Sequence, residues 1–124
     1  MDILLVEDFV AIRMLVARRL NALPGVRVVA EAAGQAQAVA RFRETLPDVI
    51  VTDLSLAEGT GLALVKELRS RGFTGHIAVM SGRELDPYRL VCEAAGVNAL
   101  YDKGAGLERM FQDLQELASD EACC

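Results

Sequence analysis

The chain has 124 residues, 52% hydrophobic and 25% charged, with 13 basic against 18 acidic side chains and a net charge of −5. That length fits one domain able to bury roughly two thirds of its unfolded surface without disulfides or a structural metal, and the composition excludes a disordered chain. The acidic balance argues against sequence-independent nucleic-acid binding, and no apolar run approaches the ~20 residues of a membrane span.

Met1 leads straight into Asp2 and a strand-like run, without the basic region and cleavage site of a signal peptide, so a cytoplasmic location is expected. The three cysteines, Cys92, Cys123 and Cys124, are odd in number, and two close the chain side by side. They form neither a disulfide framework nor a spaced zinc motif, and reduced thiols are expected.

In chain order, hydrophobic runs of strand length fall at 3 to 6 (ILLV), 26 to 30 (VRVVA), 48 to 52 (DVIVT), 76 to 80 (HIAVM) and 98 to 101 (NALY). Amphipathic stretches separate them. The first carries Ile12, Leu15, Val16 and Leu20, the second Ala36, Val39, Ala40 and Phe42, and the third Leu62, Leu64, Val65 and Leu68. A fourth begins near Asp86-Pro87, an N-cap acid followed by proline in the first turn, and stops at Gly96. The fifth, with Leu107, Met110, Phe111, Leu114 and Leu117, is the cleanest. Strand and helix alternating five times, with strands apolar on both faces, predict an α/β fold: an open doubly wound parallel sheet of order 2-1-3-4-5. In such a sheet ligands bind outside the carboxyl ends of the strands, where strands one and three part.

The C-terminal ends of the runs carry Glu7 and Asp8 after strand one, Asp53 after strand three, Ser81 after strand four and Lys103 after strand five. A parallel sheet brings these to one edge. Three clustered carboxylates raise one another's pKa values unless a cation intervenes, and a hard divalent ion with oxygen ligands, Mg²⁺ above all, answers that need. With a lysine and a hydroxyl beside it, the same edge can hold a phosphoryl group, and Asp53 becomes a candidate nucleophile. Each residue also has an ordinary reading. Asp8 can be the N-cap of helix one, Ser81 and Glu84 a capping box, Lys103 a solvated loop lysine and Asp53 an Asx-turn residue. These readings leave unexplained why all four sit at the ends of the strands that border one site.

In these motifs, VEDF, VTDLSL, VMSGR and YDKG, the sequence resembles the receiver domain of two-component response regulators, of the chemotaxis-type single-domain kind, over about Asp2 to Ala118. The resemblance implies a flavodoxin-like (βα)5 domain over 1–118 with a tail at 119–124. It implies that Asp53 takes a phosphoryl group from a partner's phosphohistidine. It assigns Mg²⁺ to Asp8, Asp53 and the backbone carbonyl of Ser55, with Glu7 acting through water, and it has Ser81 and Lys103 hold the phosphoryl oxygens. Ser55 and Arg83 stand where the family tunes its slow self-dephosphorylation. The implied partners are a histidine kinase or phosphotransfer protein and an unknown downstream protein, met on the face of helix four, strand five and helix five; a monomer or weak dimer is expected.

Three positions depart from the family pattern: Gly104 and Ala57 replace frequent prolines, and Leu100 replaces the aromatic switch residue. Tyr101 is adjacent, but neighbouring strand residues face opposite ways. A stand-alone receiver is the expectation, with a phosphorylation-independent binding module as the alternative. True enzymes fit less well. Asp53-Leu54-Ser55 lacks the second acid of a haloacid dehalogenase-type phosphatase, and Glu7-Asp8 is not the phosphate loop of a flavin or nucleotide protein. His76 falls at the opposite edge from the site, and Cys92 and Met110 read as packing residues.

Overall fold

A computed structural model describes residues 1–82 and 86–123, with side chains at 1–82 and 87–120. Five strands alternate with five helices: β1 (Asp2–Val6), α1 (Val10–Asn21), β2 (Arg27–Ala32), α2 (Gln35–Thr45), β3 (Val49–Asp53), α3 (Gly61–Ser70), β4 (His76–Ser81), α4 (Asp86–Ala95), β5 (Ala99–Asp102) and α5 (Leu107–Cys123). All strand pairs are parallel and their order is 2-1-3-4-5, as the alternation predicts.

The period-two geometry of a strand divides the core in two. Ile3, Leu5, Val49, Val51, Ala78 and Met80 point to one face, where α1 and α5 cover them with Val16, Leu20, Met110, Phe111 and Leu114. Leu4, Val6, Ile50, Ile77 and Val79 point to the other, under Val39, Leu64, Val65, Leu68 and Cys92 of α2, α3 and α4. Cys92 and Met110 are therefore packing residues.

Two helix faces differ from expectation. On α1 the buried residues are Val16, Ala17 and Leu20, while Leu15 is 49% exposed along with Phe9, Val10 and Met14. Apolar residues surround much of this helix, so periodicity alone does not choose the inward side. On α2 Ala38 and Val39 are buried and Ala36 and Ala40 are exposed, because in an alanine-rich helix small side chains mark no face strongly.

At the edge away from the site, Arg69 of α3 ties together the α3–β4 and α4–β5 connections. Its guanidinium donates to the carbonyls of Phe73, Gly75 and Gly96 and to Asn98 Oδ1, at 2.7 to 3.2 Å. Asn98 Oδ1 also accepts from Ile77 N at 2.7 Å. A planar five-donor fork suits this task better than an ammonium would. His76, the first residue of β4, lies at this same edge.

Candidate functional site

At the opposite edge β1 delivers its acids. Glu7 N donates to Ala32 O of β2 at 2.9 Å, which extends the sheet pairing one residue beyond Val6. The Glu7 carboxylate is fully buried, accepts from Phe9 N at 3.0 Å, and forms an ion pair with Lys103. Arg13 of α1 holds the same corner from outside, donating to Glu7 O at 2.8 Å and pairing with Glu31 at 3.3 Å. Asp8 follows, half-buried. It does not cap α1: the N-cap is Phe9, with no side-chain cap, and the nearby N–H that a carboxylate satisfies is taken by Glu7.

β3 places Asp53 beside this pair, 6% exposed. Carboxylate oxygens of Glu7, Asp8 and Asp53 lie within 4.8 Å of one another. Lys103 Nζ reaches Asp53 Oδ2 at 2.6 Å, so Lys103 is no solvated loop lysine; it is the counter-ion of two acids, with its side chain 19% exposed. Asp53 Oδ1 receives a long contact from Ser55 N at 3.4 Å, a weak form of the Asx turn. Ser81 is buried at the end of β4, and its carbonyl accepts from Lys103 N at 2.9 Å, which fixes the lysine's backbone against β4. Arg83, Glu84 and Cys124 lie outside the described residues, as do the side chains of Asp86 and Cys123.

Burial drives the Glu7 carboxyl above its ordinary value of 4.5, against the lowering effect of its bonds from Lys103 and Phe9. Burial opposes the charge of Lys103 too, but hydrogen bonds to Asp53 and Glu7 outweigh it and hold the ammonium more firmly protonated than usual. The sign for Glu7 follows from linkage. The native state binds this proton more tightly than the unfolded chain, so its contribution is present below the ordinary value and is lost as pH rises through the raised one. In Mg²⁺-free buffer, Glu7→Gln is therefore expected to gain stability relative to the parent as pH rises from about 4.5 through the raised value. Urea unfolding of both proteins across that range checks the sign.

The departures from the family pattern have local explanations. Gly104 N donates to Asp102 Oδ1 at 2.6 Å and Gly106 N to Asp102 O at 2.7 Å, which closes the turn after Lys103. No cis peptide occurs among the described residues. β5 pairs in regular register with β4, with no bulge to turn Tyr101 toward the site. Its hydroxyl instead donates to Asp113 Oδ2 at 2.7 Å, and Arg109 Nε binds the other oxygen at 2.9 Å. Burial, with Asp113 beside it, pushes the Tyr101 phenol upward. Leu100 lies on the other face.

Sequence reasoning passed over Gly61. A Cβ there would strike the Asp53 carbonyl oxygen, and Gly61 N donates to Leu54 O at 2.8 Å, so the loop after Asp53 closes tightly only with glycine at this place. The Gly-Thr-Gly run at 59 to 61 was the available signal. Thr60 caps α3 through Ala63 N at 3.1 Å.

A parallel α/β sheet gathers three carboxylates and an ammonium at its C-terminal edge, beside β1 and β3, where open sheets of this order bind ligands. The family model of the response regulator receiver domain matches residues 3–115, and the chain belongs to that family. It is similar to the response regulator GacA of Pseudomonas aeruginosa, with 29% identity over 115 residues, covering 93% of this chain and 54% of GacA. GacA of Pseudomonas syringae pv. syringae is 32% identical over 114 residues, covering 91% and 53%. Among solved structures, a two-component response regulator of the LuxR family from Aurantimonas sp. SI85-9A1 superposes with a TM-score of 0.88 at 27% identity, over 96% of this chain and 85% of that one. The chain spans about half the length of the curated relatives it matches. No helix among the described residues is long and apolar enough to cross a membrane.

Proposed function

We propose that the chain accepts a phosphoryl group on Asp53 from the phosphohistidine of a histidine kinase or phosphotransfer protein, in a Mg²⁺-dependent reaction. The observation that carries this reading is the near-buried Asp53 carboxylate, clustered with Glu7 and Asp8 and bonded to Lys103 at 2.6 Å. An Asp53 oxygen attacks phosphorus, the P–N bond to imidazole breaks, and an acyl phosphate forms. Lys103 and Ser81 hold the transferred oxygens, and water slowly reverses the modification, at a rate set in part by Ser55 and Arg83.

Asp8, Asp53 and the Ser55 carbonyl are the proposed direct Mg²⁺ ligands, with Glu7 acting through water. When bound, Mg²⁺ supplies charge that offsets the crowded carboxylates and the incoming phosphoryl group. The half-buried Asp8 is more open to an ion than Glu7, which is buried and already engaged by Lys103 and Phe9 N. Asp8→Ala is accordingly expected to weaken Mg²⁺ binding about 100-fold and Glu7→Ala about tenfold, in titrations followed by NMR.

The exposed apolar strip of Phe9, Val10 and Met14 opens next to Asp8, which suits a phosphodonor protein bound over the site. Output through α4, β5 and α5 is supported by the exposed Leu90 and Val91 on α4. The competing reading, a binding module that ignores phosphorylation, draws on Leu100 and on the anchoring of Tyr101 to Asp113. Mg²⁺ with beryllofluoride separates the two. Amide shifts at Ser81 and Lys103 are expected of a phosphoacceptor, and their absence identifies a scaffold.

A further inference from the structure

The loop from Asp53 to α3 has no proline at Ala57, yet it is fastened at its tip to α2. Ala57 N donates to Ala33 O at 3.2 Å, Gln35 N donates to Glu58 O at 2.9 Å, and Ala36 N donates to Glu58 Oε2 at 3.0 Å. The first N–H groups of a helix need outside acceptors, and α2 supplies none of its own: its N-cap is Gly34, and no acid stands in its first turn. Glu58 provides both a carbonyl and a carboxylate there, and its charge suits the positive end of the helix dipole.

The seat is close. A Cβ at Gly34 would lie 3.2 to 3.4 Å from Glu58 atoms, and Gly59, at φ +77, turns the chain where any side chain would run into Gln35. At its base the same loop is closed by Leu54 N on Met80 O at 3.1 Å, Gly61 N on Leu54 O, and an antiparallel bridge between Ser55 and Thr60.

We infer that Glu58 is a positioning residue for the phosphoacceptor site: by capping α2 from across the fold, it holds the β3–α3 loop in the conformation that presents the Ser55 carbonyl to the metal. The inference rests on the Mg²⁺-dependent reading of Asp53. Because apparent affinity falls with the fraction of molecules whose loop is in place, a loop released in about four molecules of five weakens binding about fivefold. Glutamine keeps an acceptor oxygen for Ala36 N; alanine does not.

The test is a Mg²⁺ titration of the parent, Glu58→Ala and Glu58→Gln proteins, followed by amide shifts at Ser55 and Lys103, with hydrogen exchange at Ala36 and Ala57 measured on the metal-free proteins. The expected result is an about fivefold weaker Kd and faster exchange at both amides in E58A, with E58Q within about twofold of the parent. Equal affinities for E58A and parent overturn the inference. So does an E58Q loss equal to that of E58A, which would make the effect one of charge and not of position. A parent protein that ignores Mg²⁺ overturns the phosphoacceptor reading itself, and the inference with it.

Discussion

Replacing Lys103 by methionine is expected to slow phosphoryl uptake from a small phosphodonor about 100-fold or more. The ammonium sits 2.6 Å from Asp53 Oδ2 and also pairs with the fully buried Glu7, so in the proposed reaction it would stand where the incoming oxygens develop charge. Deleting one such preorganised charge typically costs ~10²–10³ in rate. Lys103 is also the cation shared by two acids. Without it, Glu7 and Asp53 face each other uncompensated, and the Mg²⁺-free protein is expected to lose about 3 kcal/mol. Mg²⁺ at about 100 times its Kd adds about 2.7 kcal/mol to either protein by mass action, so saturating metal should bring K103M close to the stability of the Mg²⁺-free parent. Lys103→Arg is not expected to restore the rate, since a planar fork cannot place one point charge between two carboxylates in a pocket this closed. Time courses of intact mass, with urea unfolding at zero and saturating Mg²⁺, check both effects; equal rates for K103M and the parent contradict the role assigned to Lys103.

Much of this site was legible in the sequence because a parallel sheet converts strand ends into one edge. Glu7, Asp8, Asp53, Ser81 and Lys103 could be placed there once five apolar runs were recognised, and the runs were clear since β1, β3 and β4 are buried on both faces. The faces of α1 and α2 were less legible. Leu15 and Met14 are as apolar as Val16, and only the tertiary fit decides which of them is covered.

The long-range side-chain hydrogen bonds were not legible at all, because they join residues distant in sequence whose types are ordinary. Glu58 reaching Ala36, Tyr101 reaching Asp113 and Arg69 reaching Asn98 are examples. The alternation rule left only a β-bulge as a way for Tyr101 to replace Leu100, and β5 pairs with β4 without one. The Tyr101 hydroxyl is bound on the α5 side instead.

The proposed phosphorylation of Asp53 depends on Mg²⁺. Its most direct test is the intact mass of the parent and Asp53→Asn proteins after incubation with a small phosphodonor, with and without Mg²⁺. Asparagine keeps the shape of the side chain but removes the anionic oxygen that must attack phosphorus, so its effect is on chemistry more than on packing. One added phosphoryl group is expected on the parent with Mg²⁺, none without the metal, and none on D53N under either condition. An unmodified parent, or a phosphoryl group retained by D53N, would contradict the proposed reaction.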